Sequence, residues 1–218
     1  MRRPEALLPL VGALTLAGCE GAVAPVRQAA YDFDLYGTGL VFHWTPERLP
    51  VRYWVAPDAG VVRGFVAEGI ERWTDQFLWG EYRGVLVEDS TEADVLVRVT
   101  PPAPPAGQPT DDPPVVGACG GVTSNDTTAA PGPRALVGPF RMVIGWDERY
   151  ADADVVNCLE RVTAHEIGHT IGLFGHSPDD FDLMNGTPRV AAPSTGDRVT
   201  AEVLYRTPPS ILPPGVPR

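Results

Sequence analysis

Apolar and polar residues alternate through Val51-Arg52-Tyr53-Trp54-Val55, a run rich in β-forming side chains that stops at Pro57-Asp58. That pattern predicts a strand. From residue 61 to about residue 79 the apolar residues Val62, Phe65, Val66, Ile70, Trp73 and Phe77 recur every three or four positions, the spacing of one helix face. Short apolar runs at 85–87, 95–99, 118–123 and 142–146 predict further strands. Residues 154–172 and 198–206 predict two more helices. The first of these carries two stripes. Val156, Leu159, Thr163, Ile167 and Ile171 are expected to face the core. Cys158, Val162, His165, His169 and Gly172 lie on another side. The order strand, helix, strands, helix, helix places the chain in the α/β or α+β class.

Composition adds loops to this picture. Gly and Pro number 23 and 24 among 218 residues, roughly twice average usage. Prolines crowd residues 100–117, which reads as an extended loop, and five fall in the last twelve residues, which read as a tail. Residues 19–48 are polar and mixed and read as a tether and lead-in, so the folded domain is expected over 49–206 and the tail over 207–218. The hydrophobic share of 44% is enough to close a core. The net charge is −11, and every basic residue is Arg. An acidic chain without basic runs argues against nucleic acid and against electrostatic docking on anionic lipid. The absence of Lys excludes Schiff-base chemistry and a Walker lysine.

The N-terminus reads as an address. Arg2 and Arg3 precede an apolar run from Ala6 to Ala17, too short to span a membrane, and the run ends in Leu16-Ala17-Gly18-Cys19. That tetrapeptide resembles the lipobox of bacterial lipoproteins. The resemblance implies a signal peptide over 1–18, lipidation of Cys19 and an extracytoplasmic, membrane-anchored protein of the cell envelope. Cys119 and Cys158 then remain as an even pair in an oxidising compartment, where a disulfide is expected. It would close a loop of about 40 residues.

Three of the four histidines fall within twelve residues, in the stretch from His165 to His176. On a helix His165 and His169 project from one face, so both imidazoles can meet one Zn²⁺. Glu166 can reach a water on that metal without ligating it. Gly172 allows a left-handed turn at the helix end, so the chain can double back and bring a third nitrogen from His176. Three protein ligands and one open position describe a catalytic zinc. Should His176 not ligate, Asp179, Asp180 and Asp182 are the nearby substitutes. Glu202, thirty-three residues beyond His169, is a poor candidate for a ligand.

This stretch resembles the metzincin metalloproteases, within them the matrixin-like group, whose pattern is HExxHxxGxxH followed by a methionine turn. Here the third His comes one residue late, consistent with an insertion at Gly175, and His176-Ser177 matches the family's His-Ser pair. Leu183-Met184 matches the Met turn, with Asn185 in place of the usual Tyr. The residues from Ser194 to Arg206, with Asp197, resemble the group's C-terminal helix. The resemblance covers about 49–206. It implies a twisted mixed sheet, an active-site helix, a backing helix and a small C-terminal subdomain. It also implies a monomeric zinc endopeptidase with Glu166 as general base, acting on an extended peptide that adds to an edge strand, for which 118–123 is the candidate. A prodomain and a cysteine switch are not found between Cys19 and the first strand. Calcium, with Asp111 and Asp112 as the residues that could bind it, stays unplaced. Two alternatives stay open: a zinc-binding surface lipoprotein without turnover, and a zinc hydrolase acting on a non-peptide bond.

Overall fold

The computed structural model describes residues 27–100, 117–128 and 134–214. Cys19, the signal segment, and Asp111 and Asp112 lie outside the described residues. Five strands build the main sheet: β1 (Val51–Val55), β2 (Gly84–Val87), β3 (Val95–Val99), β4 (Cys119–Ser124) and β6 (Phe140–Trp146), in the order β2-β1-β3-β6-β4. All neighbours pair in parallel except β4, which runs antiparallel to β6 and whose outer edge pairs with no other strand among the described residues. Three helices, α1 (Arg63–Thr74), α2 (Asp152–Thr170) and α3 (Thr195–Arg206), complete a mixed α+β fold.

The predicted elements are present with shifted ends. The first helix is shorter than its periodicity suggests: residues 57–62 wind as a 3-10 segment before α1 begins at Arg63, and the helix stops at Thr74, with residues 75–79 continuing as turns. Val66, Ile70 and Trp73 form its buried stripe. In β1, Val51, Tyr53 and Val55 face the core at alternate positions, as the pattern requires. The core stripe of α2 is also as expected from Leu159 onward, with Leu159, Thr163, Ile167 and Ile171 buried. Val156 departs from it and stands exposed: burial of this helix begins only at Leu159, and its first turn projects into solvent.

α1 and α2 cross closely because small residues meet at the contact. A Cβ on Gly69 would stand 2.6 Å from Ile167 Cδ1 and 3.3 Å from Ala164 Cα. Trp73 spans the same interface and donates its indole N–H to Ala164 O at 2.8 Å. Cys119, at the start of β4, is joined to Cys158 of α2 by a disulfide with Cα atoms 5.8 Å apart.

Two segments read as peripheral belong to the core. Residues 19–48 were expected to tether the domain, yet Tyr31, Phe42 and Trp44 are buried. Phe42 packs against Trp44 and Phe140 at ring-centroid distances of 5.1 and 5.4 Å. The expected tail contributes β7 (Ile211–Leu212), which pairs in parallel with β5 (Arg134–Ala135) and bridges to Phe42. Ile211 is fully buried there. The physical reason is common to both: a few large apolar side chains in a proline-rich or polar stretch find cover only against the sheet's own core.

Candidate metal centre

α2 carries His165 and His169 one turn apart, and their rings lie edge to face with centroids 4.7 Å apart. The helix ends at Thr170, and Gly172 follows with φ +111°, a conformation that side chains other than hydrogen rarely adopt. A Cβ there would also lie 2.0 Å from Phe42 O. The turn sends the chain back so that His176 faces the other two rings at 5.2 and 5.1 Å. One nitrogen from each of His165, His169 and His176 lies within 4.8 Å of the others, and the group could hold a metal ion.

The donor chemistry fits a cation. His165 Nδ1 lies 2.8 Å from Leu183 O, and His169 Nδ1 lies 2.6 Å from Leu173 O. Carbonyl oxygens only accept, so each Nδ1 carries the proton and each Nε2 keeps a lone pair for a metal. His169 Nε2 and His176 Nε2 approach to 3.3 Å. Burial pushes the His165 pKa down to about 4, holds that of His169 well below the usual value, and lowers that of His176. All three rings are therefore neutral ligands at neutral pH. The aspartates held as substitutes are otherwise engaged: Asp182 accepts from the hydroxyls of Ser177 and Ser194, and Asp180 pairs with Arg189. Glu202 pairs with Arg27 on the surface of α3.

Glu166 sits between α2 and β4. A Cβ on Gly121 would lie 2.7 Å from Glu166 Cγ and 2.9 Å from its Oε1, so only glycine leaves room for the carboxylate at this point of the strand. Glu166 Oε2 is buried without a hydrogen-bond partner, and burial pushes the carboxyl pKa up to about 7. A buried, unpartnered carboxylate oxygen costs stability, and such costs concentrate where a ligand completes the set.

Met184 closes the base of the site. It is fully buried, and a Cβ on Gly168 would lie 2.3 Å from its Sδ. Ser177 N donates to Met184 O at 2.8 Å, and Asn185 Nδ2 donates to Ser177 O at 3.1 Å. Asn185 thus ties the methionine turn to the residue after His176. Asp197, the third residue of α3, accepts from the N–H groups of Leu183, Met184 and Ser194 and from the Tyr31 hydroxyl. The sequence pattern flagged Asp197 only as part of a helix. Its Ser194-x-x-Asp197 spacing is a capping box, a signal for the helix start but not for the link to Leu183.

The N-terminal segment was missed entirely. Trp44 Nε1 donates to Thr170 O at 2.9 Å, and Phe174 N donates to Phe33 O at 3.3 Å. A Cβ on Gly175 would lie 1.9 Å from Asp32 O. Gly175 therefore lies where this segment crosses the histidine loop, and glycine is what allows the crossing.

The histidines open onto a cleft of about 970 Å³, walled by β4 at Gly120–Thr123 on one side and by residues 186–191 on the other. Cys119 and Cys158 line it as a disulfide, not as a thiol that could block the metal. Among the described residues no helix is long and apolar enough to cross a membrane. No protein-family model matches the chain, and no curated protein matches it.

Proposed function

We propose that the protein is a zinc-dependent endopeptidase of the matrixin-like metzincin kind, anchored to the cell envelope through Cys19. The observation that carries this reading is a buried Glu166 carboxylate, its Oε2 without a hydrogen-bond partner, beside three converging histidine nitrogens, in a cleft bordered by the edge strand β4. His165, His169 and His176 would hold the zinc. Zinc in a three-nitrogen set with an open position acidifies water and polarises a carbonyl oxygen.

The chain's own residues supply the rest. Glu166 Oε2 is the proton acceptor, and the same carboxyl hands the proton to the departing amine. The free edge of β4 can pair with an extended peptide backbone and set its register across the histidines. The Leu183 and Leu173 carbonyls fix the ring tautomers, and Met184 and Asp197 fix the loop that bears the first of those carbonyls.

The purified protein lacking residues 1–18 should cleave casein, lose that activity with a chelator and regain it with zinc. Glu166→Ala should keep the metal and lose activity on the order of 10²–10⁴-fold, mainly in kcat. Zinc-bound protein with no cleavage of any unfolded substrate would refute the reading.

A further inference from the structure

Tyr36 stands at the mouth of the cleft in a conformation that packing does not explain. Its φ is +51°, the single non-glycine positive value among the described residues, and its side chain is 72% exposed. A left-handed backbone is costly for a residue with a Cβ, and core burial is not what offsets it here. The turn around it is built tightly. The Asp34 carboxylate accepts from Gly37 N and Gly39 N, Thr38 N donates to Leu35 O, and Leu35 N closes on Leu40 O at 2.8 Å. Phe33 O, at the base of this turn, is held by Phe174 N. Gly37 and Gly39 take φ of +72° and +71° beside it, so glycine is used freely in this turn, yet position 36 keeps an aromatic ring.

The location gives that ring a task. It lines the cleft beside Phe174 and His176, with the Phe174 ring centroid 6.4 Å away. The cleft's other reach follows α2 from His165 back to Asp154, eleven residues or roughly 16 Å along the axis. Tyr36 instead adjoins Phe174, which follows the C-terminal end of that helix in the chain.

Resting on the peptidase reading, we propose that Tyr36 is a specificity-determining residue: its ring contacts an apolar side chain of an extended peptide, on the side of the scissile bond away from the N-terminal half of α2. The hydrogen bonds of the turn hold the backbone that carries the ring, so little backbone freedom is lost on binding.

The test uses the zinc-loaded protein and a peptide series in which each position flanking the cleaved bond is in turn Leu, Phe, Gly or Asp. Wild type should prefer Leu or Phe over Gly at one position on one side of the bond. Tyr36→Asn, which tolerates the left-handed backbone, should erase that preference by raising KM about tenfold for the apolar peptides only, with kcat little changed. Tyr36→Phe should restore the preference. Zinc content and melting temperature of the Asn variant should equal or exceed those of wild type. An Asn variant that keeps the full preference, or one that loses activity equally on every peptide, overturns the proposal while leaving the peptidase intact. A wild-type protein that cleaves none of the series overturns both.

Discussion

Replacing Asp197 by Asn tests how the metal loop is held. The side chain is fully buried, and its Oδ2 accepts from Leu183 N at 2.7 Å and Ser194 N at 2.8 Å. Its Oδ1 accepts from Tyr31 Oη at 2.8 Å and Met184 N at 3.2 Å. Asn keeps one acceptor oxygen, which serves Leu183 N and Ser194 N, and its NH₂ group then faces the Tyr31 hydroxyl, which can reverse and accept, and the Met184 N–H, which cannot. One hydrogen bond is lost and one buried donor is left unpaired, at about 1–3 kcal/mol. One effect opposes this. Asp197 has no ion-pair partner among the described residues, so neutralising a buried charge returns part of the cost. The hydrogen-bond loss should win, because four donors already replace water around the carboxylate. A net destabilisation of about 1–2 kcal/mol is expected, which lowers the melting temperature by about 2–8 °C for a domain of this size.

A second readout ties the substitution to function. The peptide of Leu183 is gripped from both ends, its N–H by Asp197 and its C=O by His165 Nδ1. Loosening it should weaken zinc binding by about 10–100-fold, the range typical for partners behind a metal ligand. Urea unfolding of the chelated protein and competition for zinc against a chromophoric chelator measure the two effects. An Asn variant as stable as wild type would mean that the buried charge costs as much as its hydrogen bonds return. Unchanged zinc affinity would break the proposed link from α3 through Leu183 to His165.

Further expectations follow from the same geometry. Protons compete with zinc only below the pKa values of the metal-free histidines, and burial lowers all three. Zinc affinity should therefore fall less than about tenfold from pH 7.5 to 6, where three ordinary histidines would lose about fiftyfold; equilibrium dialysis across that range would contradict this with the larger loss. Gly175→Ala places a methyl group against Asp32 O, so either the N-terminal segment or His176 must shift, and zinc affinity should drop at least tenfold with α2 intact by circular dichroism. Replacing Cys119 and Cys158 together by Ser removes a cross-link over 39 residues and should cost about 4 kcal/mol in urea unfolding in the chain-entropy view. A loss below about 1 kcal/mol would mean that β4 is held by its ladder and its packing on α2 alone.

Much of the site is local and was therefore legible in the chain. Two histidines four apart on a helix share a face whatever surrounds them, and a glycine three residues later marks the turn that follows. The strands and helices that carry the core were visible for the same reason, since periods of two and of three to four report local backbone geometry. The disulfide was foreseeable from the cysteine count and the expected oxidising compartment, and its pairing closes as expected.

What the tertiary structure decided are contacts between residues far apart in sequence. Asp197 reaches Leu183 and Tyr31, Phe33 meets Phe174, and Asp32 crosses Gly175. Each uses a backbone group or a single polar atom, which leaves no periodicity to read. Residues 27–48 hold their apolar side chains in short runs broken by turn residues, and 207–214 hold only two, so neither shows a sustained period, yet Phe42, Trp44 and Ile211 close the core. The opposite lesson comes from Val156, whose place in a clean apolar stripe predicted burial. Periodicity determines which way a side chain points, but only the packed neighbours decide whether anything lies there to cover it.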